Sequence, residues 1–228
     1  MVTVPRNKLA FPQTMKTTLR YVERIDFVPT TTGVHQYQFR ANDLRDPNKT
    51  GTGHQPRGFD EFMDIYNTFT VTASRISVTW MYEGYNGPSE VNPAGNLIQR
   101  TDTATAGNTP ALTPMVCGVH KGLEILTAGA AEIQMEKDKT AWCFINSQSG
   151  SKTQRMSLKV SDFYGKGTLV GAEGYTGTKA LSPTEVVFFE LWCGRVSNDY
   201  ASETTKVVAY ATIEYDAVFT EPKTLGDS

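Results

Sequence analysis

Three histidines, three cysteines and one glycine-rich turn are the residues from which this chain would have to build chemistry. His35, His54 and His120 share no helical spacing, and none adjoins a carboxylate cluster, so neither an acid–base pair nor a metal-binding pair is written locally. They read as structural histidines. Cys117, Cys143 and Cys193 are odd in number, lack CxxC spacing and have no histidine at zinc-finger distance; in their apolar, strand-like contexts they read as buried free thiols. The run Gly51-Thr52-Gly53-His54-Gln55-Pro56-Arg57-Gly58 has no Gly-Lys-Ser/Thr ending, so it reads as a compact turn and not as a phosphate loop. Its glycines supply positive φ and Pro56 stiffens the exit. Asp43, Asp46, Asp60 and Glu61 offer oxygens for a calcium ion between subunits, but capping of turns explains them more simply. No nucleophile elbow, His-Glu-x-x-His or zinc-deaminase pattern occurs, and the remaining carboxylates are scattered. The expectation is a protein without catalytic residues, metal or cofactor.

Basic residues make the more specific pattern. Arg6, Lys8 and Lys16 give the first sixteen residues three positive side chains and no negative one, and Lys16, Arg20 and Arg24 recur on a single strand face. Such a row would meet phosphates at regular intervals, without sequence preference and with steep salt dependence. The competing reading is a solvated strand face. The formal net charge of the whole chain is only −2, with 22 Lys and Arg against 24 Asp and Glu, so any polyanion site must be local.

The elements that position these residues are strands. Segments rich in Val, Ile, Thr, Phe and Tyr alternate with Gly, Pro, Asn and Ser clusters, which predicts short antiparallel strands at about 17–28, 34–41, 69–82, 113–120, 140–146, 155–161, 185–196 and 206–219. In the last, Val207, Ala209, Ala211, Ile213, Tyr215, Ala217 and Phe219 fall on one parity against Thr212, Glu214 and Asp216 on the other. In the third, Phe69, Val71 and Ala73 give way to Ile76, Val78 and Trp80 on the opposite parity, which predicts a bulge near Ser74. The strand at 185–196 is apolar on both faces, with Val187, Phe189, Leu191 and Cys193 against Val186, Phe188 and Trp192, so its second face needs a loop or a neighbouring subunit. Only Phe59 to Asn67 reads as helix, with Asp60 and Glu61 in its first turn and Phe59, Phe62, Met63 and Tyr66 as its apolar stripe.

With 228 residues and 39% hydrophobic content, one filled core is expected: a weakly basic arm over 1–16, a single domain over 17–221 and a tail over 222–228. Neither a signal-peptide h-region nor a long apolar run is present, so a soluble protein is expected and Asn48-Lys49-Thr50 reads as a polar turn in place of a glycosylation acceptor. Eight strands with one helix between the second and third predict an all-β, eight-stranded antiparallel jelly-roll sandwich better than an immunoglobulin-like one. The connections 83–112 and 162–184 are long, which marks them as candidates for function.

The block Phe39-Arg40-Ala41-Asn42-Asp43-Leu44-Arg45-Asp46-Pro47, the following Gly51 to Asp60 with His54-Gln55-Pro56 and Gly58-Phe59, and Tyr66-Asn67 leading into Phe69-Thr70-Val71 resemble capsid proteins of circovirus-like, circular single-stranded DNA viruses. The resemblance implies a jelly roll of viral capsid type, with strands lettered B to I, the helix between C and D and long DE and GH loops. It further implies self-assembly into a small icosahedral shell, most simply T=1 with 60 copies, around circular single-stranded DNA, and a location in the virion and, during assembly, in the host nucleus or cytoplasm. On this reading Phe39, Arg40, Asn42, Asp46, Pro47, Gly51, Gly53, His54, Gln55, Pro56, Gly58, Phe59, Asp60 and Tyr66 are structural, and Arg6, Lys8, Lys16, Arg20 and Arg24 contact nucleic acid. Members of the family carry a dense Arg/Lys-rich arm; residues 1–16 here hold three cations. A coat of this kind also suits a small RNA or satellite virus and binding of a host glycan or receptor. From another class, a carbohydrate-binding jelly roll would present Tyr85, Trp142 or Tyr175 as a sugar platform.

Overall fold

A computed structural model describes residues 11–29, 33–85, 89–91, 97–99, 114–146, 148–196 and 205–224. The alternation beginning at Val207 is strand β11, Thr205–Pro222, and every second residue from Val207 to Phe219 is buried. This strand is central because both its edges are taken. On one side it pairs with β1 (Thr14–Phe27) and on the other with β3 (Tyr66–Tyr85), both antiparallel. β8 (Lys152–Lys159) extends the sheet beyond β3, and the short β9 (Thr176–Thr178) pairs with the start of β3.

The second sheet runs β2 (His35–Arg40), β10 (Phe188–Arg195), β6 (Met115–Gly122) and β7 (Thr140–Ile145), again antiparallel throughout. β4 (Ser89–Val91) and β5 (Leu97–Gln99) form a separate hairpin in the connection after β3. With the eight long strands lettered B to I in chain order, the sheets read B-I-D-G and C-H-E-F, which is the jelly-roll order. The fold is therefore an all-β antiparallel jelly-roll sandwich. Its core is one apolar cluster fed by both inner faces, including Tyr21, Phe27, Phe69, Trp80, Ile213 and Phe219 from one sheet and Phe39, Val119, Ile145, Phe189 and Leu191 from the other.

Several local expectations are corrected. The parity change in β3 comes from Thr72, the unpaired residue between Val71 opposite Ala217 and Ala73 opposite Asp216, two residues ahead of the expected place. Ala73 is thereby turned off the face of Phe69 and Val71, while Ser74 is fully buried. The helix, α1, spans Phe59–Ile65 and not to Asn67: Tyr66 already has extended backbone and opens β3. Two further short helices escaped the pattern, α2 (Ala131–Met135) and α3 (Val160–Tyr164), the latter taking Val160 from the expected sixth strand. Both are too short to show a helical period.

The doubly apolar strand β10 has its second face covered from within the chain. Trp192 lies there, packed with Val34, Val116 and Ala131 of α2 in a satellite cluster. The same face buries Glu190 completely, between Gln38 and His120 in register, with its Oε2 accepting from the Leu126 amide at 2.8 Å. Burial raises the pKa of Glu190, because the charged carboxylate loses water. The neutral form is therefore the comfortable one, and its contribution, complete below the ordinary carboxylate pKa, is lost as pH rises through the raised value. Glu190→Gln keeps an acceptor for Leu126 and removes the titration. Its melting temperature relative to wild type is expected to rise as pH increases above the ordinary carboxylate pKa, and a pH-independent difference would contradict this placement of Glu190.

The three cysteines lie in one cross-strand row, Cys193 opposite Cys117 and Cys117 opposite Cys143. All are free thiols; Cys117 and Cys193 are buried with Sγ atoms 3.3 Å apart, and Cys143 is half-buried.

Candidate nucleic-acid interface

Three of the five cations expected to contact nucleic acid lie on β1. Residues of β1 alternate between buried and exposed, which puts Lys16, Arg20 and Arg24 together on the outward side of the B-I-D-G sheet. Arg6 and Lys8 lie outside the described residues. Because β11 and β3 run beside β1, the register extends each β1 position into a row across the sheet: Arg20, Glu214, Arg75 and Ser157, and next to it Val22, Thr212, Ser77 and Arg155. Four strands span about 14 Å at the usual spacing.

Carboxylates on β11 partly neutralise this face. Arg20 Nη2 donates to Glu214 Oε1 at 2.8 Å, and Arg75 reaches Glu214 at 3.4 Å and Asp216 at 2.8 Å. Thr18 donates to the same Asp216 at 2.8 Å. The hydrogen bond from Arg20 leads the causes that hold Glu214 below its ordinary pKa. Arg24 is paired with Asp26 at 3.0 Å, and Lys206 with Asp26 and Glu83. Among the described residues Lys16, Arg155 and Lys159 make no ion pair, and all three are exposed. A shallow groove over this sheet is lined by Arg20, Arg75 and Arg155 with Glu214 as its one carboxylate. Arg75, Arg155 and Lys159 were missed in the sequence because their alternation sits on strands that share a sheet with β1 only through tertiary pairing.

The block from Phe39 to Tyr66 is the connection between the sheets, and its residues hold one another. Phe39 is fully buried. Arg40 bonds Asp46 and lies 3.8 Å from the buried Asp43, and its amide donates to the Pro47 carbonyl at 2.7 Å. Asn42 is a clamp on the entry to β10: its Nδ2 donates to the Glu185 carbonyl at 2.7 Å and its Oδ1 accepts from the Val187 amide at 3.0 Å. Gly51 and Gly58 have φ of 74° and 92°, and a Cβ at Gly53 would stand 2.7 Å from Tyr21 Oη. His54 stacks on Tyr21 with ring centroids 4.5 Å apart and lies 3.9 Å from Glu23. Gln55 bonds the Arg45 carbonyl, Pro56 is buried, and Phe59 meets Phe69 edge to face. Asp60 stands 3.7 Å from Lys179, and Tyr66 Oη donates to the Pro12 carbonyl at 3.0 Å. Asp43 and Asp46 thus face Arg40, and among the described residues no three His, Cys, Asp or Glu side chains gather as metal ligands do.

Of the proposed sugar platform, Tyr175 is 4% exposed and packs edge to face on Tyr164, so it cannot present a ring to solvent. The Tyr85 side chain lies outside the described residues. Trp142 is exposed on the edge strand β7 beside Phe144, at 44% and 49%.

No protein-family model matches the chain, and no curated protein matches it. Among solved structures, the 60-mer BFDV capsid protein is similar at 8% sequence identity with a TM-score of 0.44, over 96% of this chain and 100% of that one. The decameric BFDV capsid protein shows 5% identity and a TM-score of 0.43, over 90% and 99% of the two chains. A chain of Desmodium yellow mottle tymovirus shows 8% identity and a TM-score of 0.41, over 100% and 99%. Likenesses this distant carry no weight beyond that of the strand order itself.

Proposed function

We propose that this chain is a viral coat protein that self-assembles into a closed icosahedral shell, most simply T=1 with 60 copies, around a circular single-stranded DNA genome. The observation that carries the reading is the B-I-D-G and C-H-E-F strand order, with the 39–66 block seated between C and D as the sequence resemblance to circovirus-like coats implies. The role is structural, not catalytic. Residues 17–221 serve as the shell-forming domain, 1–16 as an arm and 222–228 as a tail, and the virion is the place of action, after assembly in the host nucleus or cytoplasm.

Self-association needs surface that a monomer leaves uncovered. Trp142 and Phe144 on an edge strand, Ile133 of α2 and Leu181 in the long connection before β10 are large apolar side chains left exposed, and they suit contacts between copies. Each copy then uses different patches toward different neighbours, and closure ends growth. The outward face of the B-I-D-G sheet is assigned to the cargo, with Arg6, Lys8, Lys16, Arg20 and Arg24 joined by Arg155. The exposed Trp142 and Phe144 pair also favours a second reading, a glycan-binding sandwich, which predicts a monomer or small oligomer in place of a particle.

Arg20→Glu with Arg24→Glu and Arg155→Glu tests the cargo face. Purified particles of the triple variant are expected to lose most of their nucleic acid while keeping their size, since phosphate neutralisation dominates such affinity. Unchanged nucleic-acid content would remove the cargo face from the proposal, and failure of the unsubstituted chain to form particles would remove the coat reading.

A further inference from the structure

A second cleft opens where the G edge of one sheet meets the E–F side of the other. It holds about 620 Å³ and is lined by Lys121 at the end of β6, Lys139 before β7, Lys159 at the end of β8 and Arg75 of β3, with Asp162 and Asp216 as its carboxylates. Asp216 is already engaged by Arg75 at 2.8 Å. None of the three lysines has an ion-pair partner among the described residues.

Two of the three lysines, Lys121 and Lys139, are held in place by neutral groups. Lys121 Nζ donates to the Ser157 carbonyl at 2.5 Å, which joins the two sheets across the cleft, and Lys139 Nζ stands 4.5 Å over the Phe163 ring. The Lys121 amide donates to the Lys139 carbonyl at 3.3 Å, which fixes the two residues side by side. Lys139 has φ of 57°, a left-handed backbone that costs energy for any residue with a Cβ. Cations gathered from three strands and a strained loop residue around one cleft suit an anion with several acceptor oxygens.

We propose that this cleft binds a phosphate group, with Lys121, Lys139 and Lys159 as its charge partners. The chemistry is that of a tetrahedral oxyanion, and its source is either free phosphate or the phosphodiester of a nucleic-acid strand. The cleft shares Arg75 and Ser157 with the groove above the B-I-D-G sheet, so a strand lying on that face would run into it. The site is complete within one chain and does not depend on shell formation.

Equilibrium dialysis of the full chain against radiolabelled inorganic phosphate, at about 20 mM salt where screening is weak, tests the site. Saturable uptake of one phosphate per chain is expected. Lys139→Gly removes the ammonium group and relieves the left-handed backbone; it is expected to weaken uptake roughly tenfold, the scale of one lost charged hydrogen bond, without lowering the melting temperature. Lys139→Gly with Lys159→Gln should abolish saturation. Competition by an oligothymidine of about ten nucleotides would identify a strand phosphate as the source, and phosphate uptake without competition would identify the free ion; both support the site. Absence of saturable uptake, or uptake unchanged in the double variant, would overturn it. Particles that take up no phosphate sink this site alone, and a monomer that binds phosphate sinks the shell alone.

Discussion

Trp80→Ala is expected to cost about 3–5 kcal/mol of stability, the range for truncating a large buried aromatic, and so a large part of a typical domain's total. Trp80 is fully buried at the middle of β3, with its ring 5.2 Å from that of Phe27, and its Nε1 donates to Gln154 Oε1 on β8 at 2.8 Å. Truncation empties the space between the sheets and leaves Gln154 without that partner. β3 carries the pairing to both β11 and β8, so the damage reaches three strands of one sheet. A fall in melting temperature of roughly 6–20 °C is expected for a chain of this size. Trp80→Phe, which keeps most of the volume and loses the hydrogen bond, should recover more than half of the loss. A Trp80→Ala protein melting within a degree or two of wild type would contradict the sandwich core.

Gly118→Val should also destabilise the fold, for the opposite reason. The Trp192 indole lies directly over Gly118, and a Cβ there would stand 2.3 Å from two of its ring atoms. The indole cannot retreat, because its other side meets the satellite cluster under α2. Overpacking of this kind costs about 1–3 kcal/mol, and the branched valine adds to it. Trp192 is completely buried, so its displacement reads out as a red shift of tryptophan emission along with the lower melting point. Gly194, where a Cβ would come within 2.9 Å of Ala131 and Val34, serves the same cover. Unshifted emission and unchanged stability in Gly118→Val would show that α2 does not close over this face.

The sheets were legible because alternation is a local signal. β11 has every inward residue on one parity, and the phase break in β3 announced a bulge within two residues of its place. Doubly apolar β10 likewise announced that something covers its second face, but not what: α2 is five residues long, too short for any period. The burial of Tyr175 against Tyr164 was not legible, because it lies in a glycine-rich connection with no period to mark an inward face. The alignment of three cysteines across β10, β6 and β7 was invisible, since register between strands is set by pairing and not by spacing.

The cargo face shows the same division. Lys16, Arg20 and Arg24 were readable on one strand, but their counter-charges are not. Arg20 meets Glu214 194 residues away, and Arg75 meets Asp216 141 residues away. Such pairs are worth little in stability at an exposed surface. Their consequence is electrostatic: among the described residues of this face they leave Lys16, Arg155 and Lys159 as the cations without an ion pair, two of them on a strand whose charge had not been singled out.

The most direct measurement is size-exclusion chromatography of the purified chain, with electron microscopy and the 260/280 nm absorbance ratio of any large species. The account predicts uniform closed particles with nucleic-acid absorbance. A chain that stays monomeric under every condition of salt, pH and calcium would contradict it and leave the glycan-binding sandwich standing.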